Sequence, residues 1–472
     1  MNEDARDNFE EDDFQEAVAR FKKMVKSHTS KYFDVYEVEG IVDHFLEDGR
    51  IKLAKKAVEA GLRLHPSSVS IKIRKAQVLL HEGKLEECLE LLELAEQIET
   101  NNPDLYLTKG GALNLLGDVE KAVEAFDMAL SMPIDDPDET LYNIGISFGQ
   151  AGETNLAIKY LEKAHQENPK NEIVLYELGY YCDKDARFDE SIDYYNKYLD
   201  IDPFNHSVWY NIGITYNRMG KFEKAIEAYD YSLVLNQDFL HALFNKANAM
   251  ANNNQFSEAI ECYKEYLTLD KENDDAFCYL AECYLNTDKY SDALLNYQEA
   301  IRLNESNSSA WYGSGLIMWS EGELADALIF FKKAISLEDD NPDFWSMAAK
   351  VHAELNEIKE AVKSFDRAIK LDPENIDIWL SYSEMYYDLE DTDKAIDVLK
   401  KAAKINKSNA YLNYRLTAYL LDKNEELEAV CHFEKALKID YSKQNELFEF
   451  YPEASKIESI KKLISQYQTT KF

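Results

Sequence analysis

The sequence predicts an all-α chain folded as a solenoid of helical hairpins, and three observations predict it. A small residue returns at a nearly constant spacing of 34: Ala54, Cys88, Ala122, Ala157, Ser191, Ala225, Ala259, Ala293, Ala327, Ala361, Ala395 and Ala429. Four places after each stands a large apolar residue: Val58, Leu92, Phe126, Leu161, Tyr195, Tyr229, Tyr263, Tyr297, Phe331, Phe365, Leu399 and Phe433. Between these markers the apolar residues keep helical spacing, most clearly in the stretch 206–239, HSVWYNIGITYNRMGKFEKAIEAYDYSLVLNQDF. There Trp209, Ile212, Gly213 and Tyr216 share one helix face, and Phe222, Ala225, Ile226, Tyr229 and Leu233 share another. Gly220 between them suits the left-handed backbone that ends a helix. Helix, tight turn and helix make an αα-hairpin. Gly213 and Ala225 leave room for large residues of the facing helix, as ridges enter grooves.

Taken in order, residues 1–12 read as an acidic tail, expected to be disordered. Phe14, Ala17, Val18, Phe21, Met24 and Val25 then mark one amphipathic helix within 1–34. It would cover the open face of the first hairpin, as a solenoid end requires. Lys22, Lys23 and Lys26 near its C-terminal end favour the helix dipole. Twelve units follow over 35–443, beginning at residues 35, 69, 103, 138, 172, 206, 240, 274, 308, 342, 376 and 410. Their internal turns use Gly49, Gly83, Gly117, Gly152, Gly220 and Gly322, or Asn254, Asp288, Asn356 and Asn424, residues that tolerate positive φ. One extra residue in the unit with Pro133 and Pro137 falls in a loop between hairpins, where insertion is tolerated. No Gly/Ser linker interrupts the series, so one continuous array is expected. Seven places after the marker, ten units have Ala, Gly or Ser, whereas two have Tyr198 and Tyr266. Overpacking costs about 1–3 kcal/mol, so those two rings are expected to turn outward with wet hydroxyls. In 444–472, Ile457, Ile460, Leu463, Ile464 and Tyr467 resume helical spacing after Pro452 and read as a C-terminal capping helix.

The period and the small-then-large pattern resemble the tetratricopeptide repeat. Trp209, Trp311, Trp345 and Trp379 stand at that family's aromatic place in the first helix, and Pro66, Pro169, Pro203 and Pro373 at its unit-ending proline place. The resemblance implies a right-handed superhelix of about twelve repeats with capping helices at both ends. It also implies that the first helices line a concave groove that binds extended peptides or partner helices.

Composition excludes several function classes. The formal net charge is −37, from 89 acidic and 52 basic residues. Phosphate backbones and anionic membrane surfaces both attract basic proteins, so neither nucleic acid nor membrane is an expected partner. No apolar run approaches a membrane span, and the first residues have neither the basic nor the apolar region of a secretory signal. The six cysteines, Cys88, Cys182, Cys262, Cys278, Cys283 and Cys431, form no CxxC pair and suit a reducing, cytoplasmic setting. Cys278 and Cys283 lie five apart on one predicted helix and do not share a face well, so neither metal nor cofactor is expected. Nine scattered histidines, His28 among them, build no HExxH, and no GxSxG or phosphate-cradling loop occurs. The flanks of the repeats are too short for a catalytic domain, so the chain reads as a non-enzyme.

What remains is a surface. The first-helix places implied by the resemblance hold Tyr142, Asn143, Tyr176, Tyr180, Tyr210, Asn211, Phe244, Asn245, Asn248, Tyr312 and Trp319. Amides of the Asn row offer both donor and acceptor to a peptide backbone, and the aromatic residues supply contact area at low entropic cost. Glu177 and Tyr279 interrupt that row. The expected function is a scaffold or adaptor that holds a protein or peptide segment in the groove. Alternatives are a co-chaperone that clamps acidic heat-shock-protein tails and a regulatory or sensor subunit of a larger complex. The clamp needs Lys or Arg on successive first helices, where this chain has isolated Arg74 and Arg415.

Overall fold

Burial follows the repeat at every turn of the computed structural model, which describes residues 3–27, 29–134 and 136–470. All twelve small marker residues have zero exposure, and the large residues four places on are at most 3% exposed. His28 lies outside the described residues, as does the side chain of Phe14.

The chain divides into two compact units, Met1–Gln237 and Asp238–Phe472. The first holds α1 (Glu3–Ser27) and six hairpins: α2 (Val35–Glu47) with α3 (Ile51–Leu64), α4 (Val69–His81) with α5 (Leu85–Glu96), α6 (Pro103–Leu115) with α7 (Val119–Leu130), α8 (Pro137–Gln150) with α9 (Thr154–Glu167), α10 (Glu172–Lys184) with α11 (Phe188–Leu199), and α12 (His206–Arg218) with α13 (Phe222–Leu235). The second holds α14 (Leu240–Asn252) with α15 (Phe256–Leu269), α16 (Asp274–Leu285) with α17 (Tyr290–Leu303), α18 (Ser308–Ser320) with α19 (Leu324–Leu337), α20 (Pro342–Glu354) with α21 (Ile358–Leu371), α22 (Ile376–Asp388) with α23 (Thr392–Ile405), and α24 (Ala410–Asp422) with α25 (Glu426–Ile439). It ends in α26 (Asn445–Phe450) and α27 (Glu458–Thr470). Each unit is thus an α-solenoid whose hairpins pack on their chain neighbours.

Three local devices recur. Asn102, Asn171, Asn205, Asn273, Asn307, Asn341, Asn375 and Asn409 are the N-caps of first helices, each side-chain oxygen accepting from a backbone N–H in the first turn. Such a cap contributes about 1 kcal/mol over Ala. The four tryptophans at matching places donate Nε1–H to a carbonyl six residues earlier: Trp209 to Pro203, Trp311 to Glu305, Trp345 to Asp339 and Trp379 to Pro373. They therefore fasten the loop that enters each hairpin. The turn between helices takes positive φ at the Gly, Asn and Asp positions named above, and also at Ala186 (60°) and Glu390 (58°). Those two residues fill the left-handed place without the chemistry that signals it.

Two expectations are corrected. Tyr198 and Tyr266 do not turn outward; they are 8% and 6% exposed. The N-cap Asn seven places on reaches each phenol: Asn205 Nδ2 donates to Tyr198 Oη at 2.9 Å, and Asn273 Nδ2 to Tyr266 Oη at 2.9 Å. Tyr266 donates in turn to Asp270 Oδ2 at 2.9 Å. The hydroxyls are satisfied by protein rather than water, so burial leaves no orphaned group. The acidic stretch is not a tail from Glu3 onward, because α1 begins there. Carboxylates suit a helix N-terminus, where the dipole is positive.

The ends are covered as solenoid ends must be. Ala17, Val18, Phe21 and Met24 of α1 pack with Phe33, Val38, Ile41, Val42 and Phe45. At the other end Leu447, Ala454 and Ile460 join the core of α24 and α25, with Ile457, Leu463, Ile464 and Tyr467 packed against it.

Candidate functional site

Neighbouring first helices touch, α10 with α12 in the first unit and α14 with α16 and α16 with α18 in the second, so equivalent places on them share a face. In the first unit, α8, α10 and α12 bring Tyr142, Asn143, Tyr176, Tyr180, Tyr210 and Asn211 onto it. Tyr180 is 47% exposed, Asn143 is exposed, and the other four are half-buried. Tyr176 stands edge-on to Tyr195 and Tyr198, with centroids 6.1 and 6.3 Å apart. Its hydroxyl accepts a hydrogen bond from Asn211 Nδ2 at 3.0 Å, which ties α12 to α10. Tyr210 leans on the buried Tyr229, centroids 5.8 Å apart.

In the second unit, α14 and α18 supply Phe244, Asn245, Asn248, Tyr312 and Trp319, all half-buried. Phe244 packs against Tyr266, Tyr279 and Tyr263. Tyr263 donates its hydroxyl proton to Asn248 Oδ1. Tyr312 lies 4.8 Å from Phe344, and burial pushes its hydroxyl up to about 12. Trp319 Nε1 donates to Glu354 Oε1 at 2.8 Å, linking α18 to α20. Asn211, Asn248 and Trp319 thus each make a contact inside their own unit. Asn211 and Asn248 serve the fold with part of their hydrogen-bonding capacity.

Glu177, an interruption when the Asn row is read from the sequence, is a desolvated acid on the α8–α10 face. It is half-buried beside Tyr142 and Tyr181, and burial raises its carboxyl above the ordinary range. Burial likewise raises Glu282 of α16. A desolvated carboxylate is stabilised by an arriving cation. The signal lay in the residue type: an acid at an aromatic-lined place of a helix face.

The two isolated arginines are already engaged. Arg74 Nε pairs with Asp43 Oδ1 at 2.7 Å and its Nη1 with Asp104 Oδ2 at 2.6 Å, bridging α2, α4 and α6. Burial outweighs that pairing at Asp43 and lifts its carboxyl to about 6. Arg415 lies 3.8 Å from Glu384 and stacks over Phe450. Cys278 and Cys283 are buried, and burial pushes both thiols up to about 12, so neither is a thiolate at neutral pH.

Helical hairpins repeated at fixed spacing, with small residues facing large ones, define an α-helical repeat protein. The chain belongs to the tetratricopeptide-repeat family: profiles of that repeat match residues 40–104, 142–206 and 206–239. The C-terminal domain of cilia and flagella-associated protein 70 matches residues 235–447. No curated protein matches the sequence. Among solved structures, MamA is 26% identical over 34% of this chain and 95% of its own, with a TM-score of 0.32. Yeast Tom70 is 16% identical over 91% and 98%, TM-score 0.44. The C-terminal part of a repeat protein from Cytophaga hutchinsonii is 18% identical over 51% and 98%, TM-score 0.44. No described helix is long and apolar enough to cross a membrane.

Proposed function

We propose that the chain is a non-enzymatic adaptor whose first-helix face on α8, α10 and α12 holds a partner segment carrying basic side chains. One observation carries the reading: Glu177 is desolvated beside Tyr142 and Tyr181, with Tyr180 against Tyr181 and with Tyr176 and Tyr210 continuing the aromatic surface. A Lys or Arg of the partner would restore the charge balance at Glu177 and lie against tyrosine faces, a cation–π contact worth about 0.5–2 kcal/mol. Tyrosines held by neighbouring rings lose little entropy on binding. Asn143, and the Asn211 carbonyl oxygen left over from its bond to Tyr176, would meet the partner's backbone. The acidic charge of the chain, −37, favours the same partner sign and speeds its encounter. The buried thiols of Cys88, Cys182, Cys262, Cys278 and Cys283 support a cytoplasmic location.

Random peptides displayed on phage and selected on the purified protein test this. Selected peptides are expected to be enriched in Lys and Arg, and Tyr180→Ala with Tyr210→Ala is expected to weaken them about tenfold or more. Glu177→Gln should reduce the basic preference while leaving the fold intact. Peptides without a basic bias, or unaffected by these variants, would refute the assignment.

A further inference from the structure

In a chain this acidic, a pocket in the second unit is rich in lysine. It has a volume of about 610 Å³ and lies between α23 and α25, with Asn413 of α24 behind it. Its wall carries Lys400, Lys404, Lys407, Lys435 and Lys438 against a single carboxylate, Glu428. Lys400 is held by Glu428 at 2.7 Å and Lys438 by Glu434 at 2.7 Å. Lys404, Lys407 and Lys435 are exposed and have no acidic partner among the described residues. Ala403 and Ile439 add an apolar part to the wall. Apart from Lys407, in the loop after α23, and Asn413 of α24, the lining belongs to the second helices α23 and α25, so the pocket is separate from the first-helix face proposed above and does not depend on that reading.

We infer that this pocket is a second binding site, one that takes a peptide bearing clustered negative charge beside an apolar side chain. Three unpaired ammonium groups around one cavity are complementary to adjacent carboxylates or to a phosphoryl group, and Lys engages either as a point charge. Ala403 and Ile439 then receive the neighbouring apolar residue. His432 reports occupancy. Its ring is only 13% exposed, and Nδ1 lies 3.0 Å from Asn413 Oδ1. Asn413 Nδ2 donates to the Asn409 carbonyl, so its Oδ1 is the acceptor and the imidazole proton sits on Nδ1. Burial first, then Lys435 and Lys400, hold the imidazole down at about 4, against the opposing pull of Glu428. An anion among those lysines offsets their repulsion and raises the His432 titration point.

The test is calorimetry on the full chain with three probes: pyrophosphate, a peptide with Asp and Glu beside Leu, and the same peptide with phosphoserine in place of the acids. The two peptides distinguish carboxylate from phosphoryl as the source of charge, and binding of either supports the site. Lys404→Gln, Lys407→Gln and Lys435→Gln together should weaken it about tenfold or more. The charge-matched control Lys52→Gln, Lys75→Gln and Lys271→Gln, at exposed positions elsewhere, should leave it within about twofold. The His432 imidazole resonance should titrate at higher pH with peptide bound. Binding of pyrophosphate but neither peptide, an equal loss in the control, or an unmoved His432 titration would each overturn the inference.

Discussion

Replacing Gly213 with Ala probes how closely the two helices of a hairpin approach. A Cβ at Gly213 would lie 2.4 Å from Tyr229 Cε1, 2.6 Å from Cδ1 and 2.9 Å from Cζ. The Tyr229 ring is 1% exposed and has Tyr210 against it, so it has no free direction in which to move. Forcing the added carbon in should cost about 1–3 kcal/mol, from which the better helix propensity of Ala returns about 1. Gly111→Ala is the internal control. Its Cβ would meet only Leu80 Cδ2, at 3.5 Å, an ordinary contact. That variant should therefore gain about 1 kcal/mol. The same chemical change should destabilise α12 by up to about 2 kcal/mol and stabilise α6. Urea unfolding followed by circular dichroism gives the sign. Amide exchange within each hairpin localises it, because repeat arrays need not unfold in one step. If both variants stabilise alike, the close approach of Gly213 to Tyr229 is refuted, and with it the packing rule read from the repeat.

Three further outcomes are expected. Tyr198→Phe should lower stability by about 0.5–1.5 kcal/mol and Tyr266→Phe by more, since the second hydroxyl makes two hydrogen bonds; neutral variants in urea titrations would restore the wet-hydroxyl expectation. Ala186→Gly, at φ 60°, should raise stability by up to about 1 kcal/mol by relieving a left-handed Ala, and a loss in the same titration would contradict the turn geometry. The third concerns His432, whose folded value of about 4 lies below the model-peptide 6.5, so its contribution is fully present above about 6.5 and is lost as pH falls toward 4. His432→Gln should therefore flatten the decline in stability of the α24–α25 hairpin between pH 7 and 4, by at most about 3 kcal/mol; parallel pH profiles for the two proteins would contradict it.

Much of the fold was legible because the repeat states each requirement twelve times. Ala225 and Tyr229 are buried for the same reason as Ala429 and Phe433, and the constant spacing exposes that reason without coordinates. Ala186 and Glu390 were not legible as turn residues, because neither has the side chain that marks positive φ; their hairpins impose it. Volume alone does not place Tyr198 and Tyr266, which are buried with their hydroxyls bonded. The compensating partners, Asn205 and Asn273, stand seven residues on and act first as helix caps. On the candidate face the residue types were readable, but their commitments were not. Asn211 and Trp319 bond to neighbouring hairpins, contacts that depend on how first helices stack. The lysine pocket is not legible in the sequence because Lys400 and Lys435 are 35 places apart, each an ordinary charge on a helix.

The most direct test of the adaptor assignment is hydrogen–deuterium exchange on the full chain, with and without a basic peptide selected on it. The prediction is slowed exchange in α8, α10 and α12, with α9, α11 and α13 unchanged. Protection confined to the second helices, or none in the first unit, would contradict it.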